Sequence, residues 1–179
     1  MKKIVFVLIA VTMLFTACNS NSEPSAKHDF LNVDFGISTI ELLEIEGEPD
    51  REIPQTSNYN TSVYWYNGKS VWGMSNVSTL YFIDENGVNS MVAVFNNSYS
   101  DNKSYLAEYD TVKEKLISEW GDPIEIIEKE DNFMNICSWG NKFLELYRND
   151  TNSVIFQVTA YRQDYFDSHP HVTEAWTTE

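Results

Sequence analysis

Two helix-terminating signals of the form Gly-x-Pro constrain the fold of this chain more than any other feature. The first is Gly47-Glu48-Pro49 and the second is Gly121-Asp122-Pro123, and each follows an amphipathic segment. Glycine adopts the left-handed conformation that closes a helix, and a proline shortly afterwards prevents the helix from continuing. Because short strand-like segments follow each stop, the sequence predicts that one helix-plus-strands unit occurs twice.

The first predicted helix is marked at its start as well as at its end. Ser38 and Glu41 have the Ser-x-x-Glu spacing of a capping box. Ile37, Leu42 and Ile45 are spaced to lie along one helical face. The sequence therefore predicts a short helix with both termini defined.

The second predicted helix lies within residues 104–123. Its apolar residues recur every three or four positions, which is the period of an amphipathic helix. They are Tyr105, Tyr109, Val112, Leu116 and Trp120.

The strand-like segments are short and are separated by tight turns. Asn86-Gly87 is a hairpin signal because this pair favours a two-residue turn. Consecutive strands joined by tight turns pair antiparallel. The segments are 62–67, 68–72, 79–84 and 89–96 after the first stop, and 125–129, 133–139, 142–148 and 153–162 after the second.

These elements predict an α+β fold in which two tandem helix-plus-antiparallel-meander units share one sheet. We expect the units at 29–100 and 101–163, with an insertion around 70–78 and a C-terminal tail at 164–179. Both helices would lie on one face and leave the other face open, as antiparallel sheets allow. Trp65 and Trp139 have the same spacing as the two stops, which agrees with a duplication.

The N-terminus has the features of an export signal. Residues 1–17 contain two lysines followed by an apolar run that is too short to span a bilayer. Small residues then precede Cys18, as in a bacterial lipobox, although Phe15 stands where leucine is usual. This pattern predicts cleavage before Cys18, lipidation of Cys18 and a flexible tether at 18–28. The alternative is a plain secretory signal with an incidental cysteine.

Lipidation would attach the body to a membrane through the N-terminal lipid, on the extracytoplasmic side of the cell envelope. Stable anchoring requires more than one acyl chain, which lipoprotein processing supplies. This prediction covers both the periplasm and the outer surface. Cys137 would then be the one thiol of the mature body besides the lipidated residue, and its apolar neighbours favour a packing role.

Composition narrows the possible partners. The chain has 27 acidic and 12 basic residues, a formal net charge of −15. Binding to nucleic acid depends on clustered Lys and Arg, so this charge argues against a nucleic-acid partner. The three histidines are His28, His169 and His171, and all fall outside the predicted core elements. The sequence has no phosphate-binding loop or nucleophile elbow, so we expect neither an enzyme nor a metal or cofactor site.

Alternation along the strands suggests a binding surface. It assigns Leu80, Phe82, Leu144 and Leu146 to the face that packs on the helices. The opposite face would combine aromatic and polar residues, and aromatic side chains are favoured anchors of protein interfaces. The predicted partner-binding residues are Tyr81, Trp139, Phe143, Glu145, Tyr147, Gln157 and Tyr161.

The segment 36–49, with the pattern Gly-Ile-Ser-x-x-Glu-Leu-x-x-x-x-Gly-x-Pro, resembles the signature of small bacterial envelope lipoproteins of the outer-membrane-assembly type, the SmpA/OmlA group. These carry Gly-Met-Thr-x-x-Gln-Val before a Gly-x-Pro stop. The second unit has Asp110-Thr111-Val112 in place of that start. The tandem arrangement is similar to β-lactamase-inhibitor-protein-like folds. The resemblance implies a protein that binds other proteins or scaffolds envelope complexes.

Three functional hypotheses follow. The first is a non-catalytic protein-interaction module of the envelope. The second is an inhibitor or immunity-type protein against a basic wall-degrading enzyme such as lysozyme, because an acidic body accelerates encounter with a cationic target. The third is a surface hydrolase that uses paired carboxylates, which would require two buried acids in one cleft.

Overall fold

The structure, a computed structural model, describes residues 30–56, 60–130, 133–149 and 151–170. It contains one eight-stranded antiparallel sheet and three helices. The elements in chain order are α1 (Thr39–Glu46), β1 (Arg51–Ile53), β2 (Ser62–Val71), β3 (Met74–Asp84), β4 (Gly87–Phe95), α2 (Asn102–Trp120), β5 (Glu125–Lys129), β6 (Met134–Ser138), β7 (Lys142–Arg148), β8 (Val154–Tyr161) and α3 (Gln163–Ser168). The predicted α+β class is confirmed.

The strand order is β1-β2-β3-β4-β8-β7-β6-β5. Each half of the chain forms a meander, and the two meanders join where β4 pairs with β8. In that pair Met91 lies opposite Ala160 and Ala93 opposite Val158. The last strand of each half therefore lies in the interior of the sheet, and β1 and β5 form its edges.

Local signals explain how the first two helices start and end. The Ser38 side chain caps the backbone of Glu41, and the Glu41 carboxylate accepts from the Ser38 N–H at 2.8 Å. This reciprocal pair satisfies helical donors that would otherwise lack partners. Asp101 caps α2 by accepting from the Ser104 N–H at 2.9 Å. Gly47 and Gly121 end the two helices at φ values of 81° and 84°.

Helices α1 and α2 pack on one face of the sheet, which we call the helix face. The Glu46 carboxylate at the end of α1 accepts from Tyr81 on β3, and the ring of Tyr109 on α2 lies 6.2 Å from that of Phe156 on β8. The core between helices and sheet includes buried aliphatic residues from both halves, among them Leu42, Met91, Leu116, Leu144 and Val158. Burial of this apolar surface is the main favourable contribution to the fold.

Helix α3 lies on the opposite face, which we call the second face. The Phe166 ring is 5.8 Å from Phe143 and 6.1 Å from Tyr161. The second face is therefore only partly open, because the start of the predicted tail folds into a helix that covers part of it. Residues 171–179 of that tail lie outside the described residues.

The structure also revises the predicted strands. The two segments 62–67 and 68–72 form the single strand β2, and the expected insertion at 70–78 is the end of a long β2–β3 hairpin that turns at Trp72-Gly73. The short strand β1 was not predicted. Within the described ranges, none of the helices is both long and apolar enough to cross a membrane.

Candidate interaction surface

Tyr81 does not lie on the predicted binding face. Its side chain is completely buried on the helix face, where the hydroxyl donates to Glu46 Oε1 at 2.7 Å. Lys69 Nζ lies 2.7 Å from Glu46 Oε2, and the Tyr66 ring packs edge-on against Tyr81 at 5.7 Å. Burial raises the pKa of Tyr81, and the Glu46 carboxylate raises it further. The hydroxyl therefore remains a neutral donor and fixes the end of α1 on β3.

Trp139 also lies on the helix face. Its indole Nε1 donates to the Gly121 carbonyl at 2.8 Å, and its ring lies 5.4 Å from Trp120. Trp65 lies on the second face, because its partners in register are Arg51 and Leu80. Trp65 and Trp139 are therefore not equivalent positions of the two halves, and their spacing in the sequence is not evidence of duplication.

The other five predicted residues lie together on the second face, on β7 and β8. Glu145 pairs with Gln157 across the two strands. However, Phe143 is only 1% exposed and Glu145 only 4% exposed, so neither is available to anchor a partner. Tyr161 is covered in part by Phe166. Tyr147 and Gln157 remain partly exposed.

The buried Glu145 carboxylate is satisfied by neighbouring side chains. Its Oε2 accepts from Gln157 Nε2 and from Thr159 Oγ1, both at 2.9 Å. A buried charge is costly unless it is hydrogen-bonded in this way. Burial raises the pKa of Tyr147 and of Tyr161, and the charge of Glu145 contributes to both shifts. The two hydrogen bonds hold the Glu145 carboxylate in place between β7 and β8.

A different part of the second face presents an apolar surface. Trp65 pairs with Leu80 and Leu80 with Val92, so these three side chains form a row across β2, β3 and β4. All of them are only partly covered. We call this surface the apolar strip, and it consists of Val63, Trp65, Leu80, Phe82, Val92 and Val94.

A groove of about 740 Å³ adjoins the strip between β1 and α3. Val63 and Phe82 of the strip form part of its lining, and Tyr165 and His169 line the opposite side. The Tyr165 and His169 rings stack with centroids 4.0 Å apart. The second face thus combines a partly exposed apolar surface with a groove at its border.

Arg162 makes three polar contacts at the end of β8, where this strand borders the groove. Its Nε lies 2.6 Å from Asp164 Oδ1, its Nη2 lies 3.7 Å from Asp84 Oδ2, and its Nη1 donates to the Asn86 carbonyl at 3.1 Å. The hydrogen bond from Arg162 holds the pKa of Asp164 below its usual range. The guanidinium therefore links α3 to the β3–β4 turn.

The described residues contain no group of three or more His, Cys, Asp or Glu side chains placed to hold a metal ion. Cys137 is buried, and its Sγ lies 3.2 Å from the Tyr109 hydroxyl. This environment agrees with the predicted packing role. The predicted lipidation site, Cys18, and the tether lie outside the described residues.

Sequence reasoning missed the apolar strip because both alternating sets of β3 contain large apolar side chains. Tyr81 and Ile83 point to the helix face, and Leu80 and Phe82 point to the second face. Alternation alone cannot say which set faces the helices. The Asp84–Arg162 pair was also missed, since it joins positions that are far apart in the sequence and carries no local signal.

No protein-family model matches the chain, and no curated protein matches it. Solved structures with limited similarity to this chain include three bacterial proteins. A cysteine-rich secretory protein from Staphylococcus aureus is 9% identical with a TM-score of 0.36, over 73% of this chain and 45% of that chain. A DUF4309 family protein from Bacillus subtilis is 11% identical with a TM-score of 0.36, over 73% and 82%.

The third is an extracellular protein from Bacillus anthracis that contains an SCP domain, 14% identical with a TM-score of 0.37, over 80% of this chain and 52% of that chain. This chain spans about half the length of the staphylococcal and B. anthracis chains. No comparison tests the resemblance to outer-membrane-assembly lipoproteins, which stays a prediction.

Proposed function

We propose that this protein is a lipid-anchored, extracytoplasmic lipoprotein that acts as a non-catalytic protein-interaction module, and that its partner binds the apolar strip. The observation that carries the proposal is the row Trp65–Leu80–Val92, which places three adjoining, partly exposed apolar side chains on the second face. Contiguous exposed apolar surface on a soluble body marks an interaction site. The lipid anchor rests on the Cys18 lipobox alone.

The position of the strip favours a protein partner over a small ligand. Its side chains come from three neighbouring strands and form a broad surface, whereas small-molecule sites are concave and enclose their ligands. Trp65 supplies the kind of large aromatic anchor that dominates interface energetics. The adjoining groove is lined in part by Phe82 and Tyr165. It would receive a protruding side chain or loop of the partner.

We further propose that residues 29–100 and 101–163 are two copies of one unit. The strand order β1–β4 followed by β8–β5 supports the duplication, because each half contributes one helix and four strands. The backbone N–H of Gly47 donates to Leu43 and that of Gly121 donates to Ile117, so both helices end in the same way. Two such units bury a joint core that one helix on four strands could not provide.

Site-specific photo-crosslinking in the producing cell tests the interaction surface. A photoreactive amino acid at Leu80 is expected to capture a discrete protein. The matched control is the same group at Ile40, a residue of α1 that is 71% exposed and lies away from the strip. Leu80→Ala should weaken binding of the captured partner about tenfold, the equivalent of about 1.4 kcal/mol. Equal adducts at both positions, or none at Leu80, would refute the assignment.

The anchor is tested separately by mass spectrometry of the N-terminal peptide. We expect a lipid-modified Cys18 at the mature N-terminus and a fully processed, membrane-associated protein. Cys18→Ser should abolish the modification and release the protein from the membrane fraction. An unmodified cysteine in the wild-type chain would show that the export signal is a plain secretory one.

Inhibition of a basic wall-degrading enzyme is a second candidate, and the net charge of −15 favours it. Opposite charges accelerate encounter between proteins. Titration of lysozyme activity with the purified protein tests this candidate, and it predicts that inhibition weakens as salt is raised. Full activity at a molar excess of the protein would eliminate it.

The structure offers no support for a carboxylate-dependent hydrolase. The two buried carboxylates of the described residues are Glu108 and Glu145. Glu108 belongs to α2 on the helix face and accepts from Asn97 Nδ2 at 2.7 Å, whereas Glu145 lies on the second face. The sheet separates them, so they do not share a cleft.

A further inference from the structure

Three tryptophans and a phenylalanine meet on the helix face, and we call them the aromatic cluster. Trp120, the last residue of α2, has its ring 5.9 Å from Phe30, 6.3 Å from Trp72 and 5.4 Å from Trp139. The Lys142 ammonium lies 4.7 Å from the Trp120 ring centre. All three indoles are partly exposed. The cluster therefore presents tryptophan and lysine together at the surface.

Two of the most exposed large apolar side chains continue this surface. Ile124 is 80% exposed and Ile126 is 49% exposed. The β5–β6 register pairs Ile126 with Cys137 on the helix face, and the Ile124 N–H donates to the Ser138 carbonyl at 2.7 Å, which places Ile124 beside Trp139. Side chains exposed to this degree gain little stabilisation from packing in the core, so they are available to enter an apolar phase.

The cluster also lies where the tether joins the body. Phe30 follows the predicted tether at 18–28 by two residues, and its ring contacts both Trp72 and Trp120. Between it and Cys18, the sequence leaves a segment that can extend about 40 Å at most. A body held on so short a segment stays within reach of the bilayer surface, with the aromatic cluster at its point of attachment.

We propose that the aromatic cluster, with Ile124 and Ile126, rests on the lipid surface and orients the anchored body. This inference depends on the anchor in the proposed function. Tryptophan is enriched at the membrane–water interface, where its ring lies at the level of the headgroups. Lysine reaches from such a surface toward the headgroups. The apolar strip, on the second face, is then not the surface that the bilayer covers.

The negative net charge of the protein determines which lipid headgroups its body can approach. The full chain has a net charge of −15, and removal of residues 1–17 with their two lysines leaves 10 basic and 27 acidic residues, a net charge of −17, on the body. The body is therefore repelled by anionic headgroups, and its contact with the bilayer relies on aromatic and aliphatic side chains. Zwitterionic phosphatidylcholine vesicles are therefore the appropriate probe. Binding through the cluster alone is weak, and the lipid on Cys18 supplies the attachment, so the cluster sets orientation rather than affinity.

The test places an environment-sensitive fluorophore at the proposed contact. Ile124→Cys, labelled in the full-length lipidated protein, is reconstituted into phosphatidylcholine vesicles. Cys137 is buried and Cys18 is occupied by lipid, so the label is specific. We expect a blue shift of the emission and quenching by nitroxide-bearing phosphatidylcholine. The control is Ile40→Cys, which is 71% exposed on α1 and should show neither change.

Each outcome is decisive. A shift and quenching at position 124 alone support the membrane contact. No response at either position overturns it, and so does an equal response at both, which indicates insertion without orientation. A shift at position 124 only after an envelope protein is added assigns the cluster to a protein partner and also overturns it. Mass spectrometry of Cys18 on the same sample separates these results from a failure of the anchor.

Discussion

Gly87, in the β3–β4 turn, occupies a position that no larger residue fits. Its φ is 91°, and a Cβ built there would lie 2.3 Å from the Gly36 carbonyl oxygen and 2.5 Å from that of Ile37. The turn approaches the start of α1 this closely because the Gly36 N–H donates to Val88 at 2.8 Å and the Val88 N–H donates to Ile37 at 3.0 Å. Because Gly87 has no side chain, the segment that leads into α1 can hydrogen-bond to the start of β4.

The cost of Gly87→Ala can be divided into two parts. A positive φ costs a residue with a Cβ about 1–2 kcal/mol. The clash with backbone atoms adds about 1–3 kcal/mol, as overpacking does, and about 1 kcal/mol for each of the two hydrogen bonds that lengthen. We expect a loss of about 3–6 kcal/mol in the free energy of unfolding, after allowing for the reduced freedom of the unfolded chain.

Gly73→Ala is the matched control. Gly73 closes the β2–β3 turn with a φ of 85°, and a Cβ there would meet no heavy atom within 4 Å. In this variant only the positive φ is unfavourable, so we expect a loss of about 1 kcal/mol in the free energy of unfolding. Urea unfolding monitored by tryptophan fluorescence and by circular dichroism measures both. If the two variants differ by less than about 1 kcal/mol, the close approach to Gly36 does not constrain the fold.

Three further substitutions probe the buried polar groups. Tyr81→Phe removes the donor to Glu46 Oε1, while Lys69 still contacts Oε2, and should lower the free energy of unfolding by about 1.5–3 kcal/mol in urea. Glu145→Ala removes the acceptor of the buried Thr159 hydroxyl and should cost about 1–3 kcal/mol by the same measurement. Burial raises the pKa of Tyr66 to about 12, so stability should fall as the pH rises from 10 to 12, and Tyr66→Phe should reduce that fall.

Controls for these variants lie in the same structure. Tyr66 donates to the neutral Gly47 carbonyl at 3.1 Å, so Tyr66→Phe at neutral pH should cost less than Tyr81→Phe. The reverse order would mean that the charge on Glu46 contributes little. The sign of the pH effect follows from ionisation, because the unfolded tyrosine loses its proton near pH 10, before the folded one does. An alkaline fall of equal size in Tyr66→Phe would assign it to other groups.

Local signals in the sequence predicted α1 and α2 well, whereas α3 was not predicted. The capping box at Ser38 and the glycine stops at Gly47 and Gly121 act within a few residues, so their meaning does not depend on the rest of the fold. The Asn86-Gly87 hairpin was predicted for the same reason. The strand segments were largely found, although the long β2–β3 hairpin was divided at Asn67-Gly68, where polarity and glycine suggested a break.

The interaction surface could not be predicted in the same way. Placing Tyr81 requires knowing which face of β3 the helices cover, and Tyr81 and Leu80 are both suited to a buried position. The location of Phe166 over Phe143 depends on how the chain turns after β8. The aromatic cluster brings together Phe30, Trp72 and Trp120 from distant parts of the sequence, and no spacing rule relates them.

The strand order has a consequence for how the fold is completed. Among the described residues β8 is the last strand in sequence, yet it lies between β4 and β7. Until β8 is in place, these two strands both present unpaired backbone groups beside apolar residues, which is the condition that favours pairing with another molecule. Until β8 is added, the folding chain therefore has two unpaired strand edges at once. The addition of this one strand pairs both edges, so residues 154–161 complete the sheet.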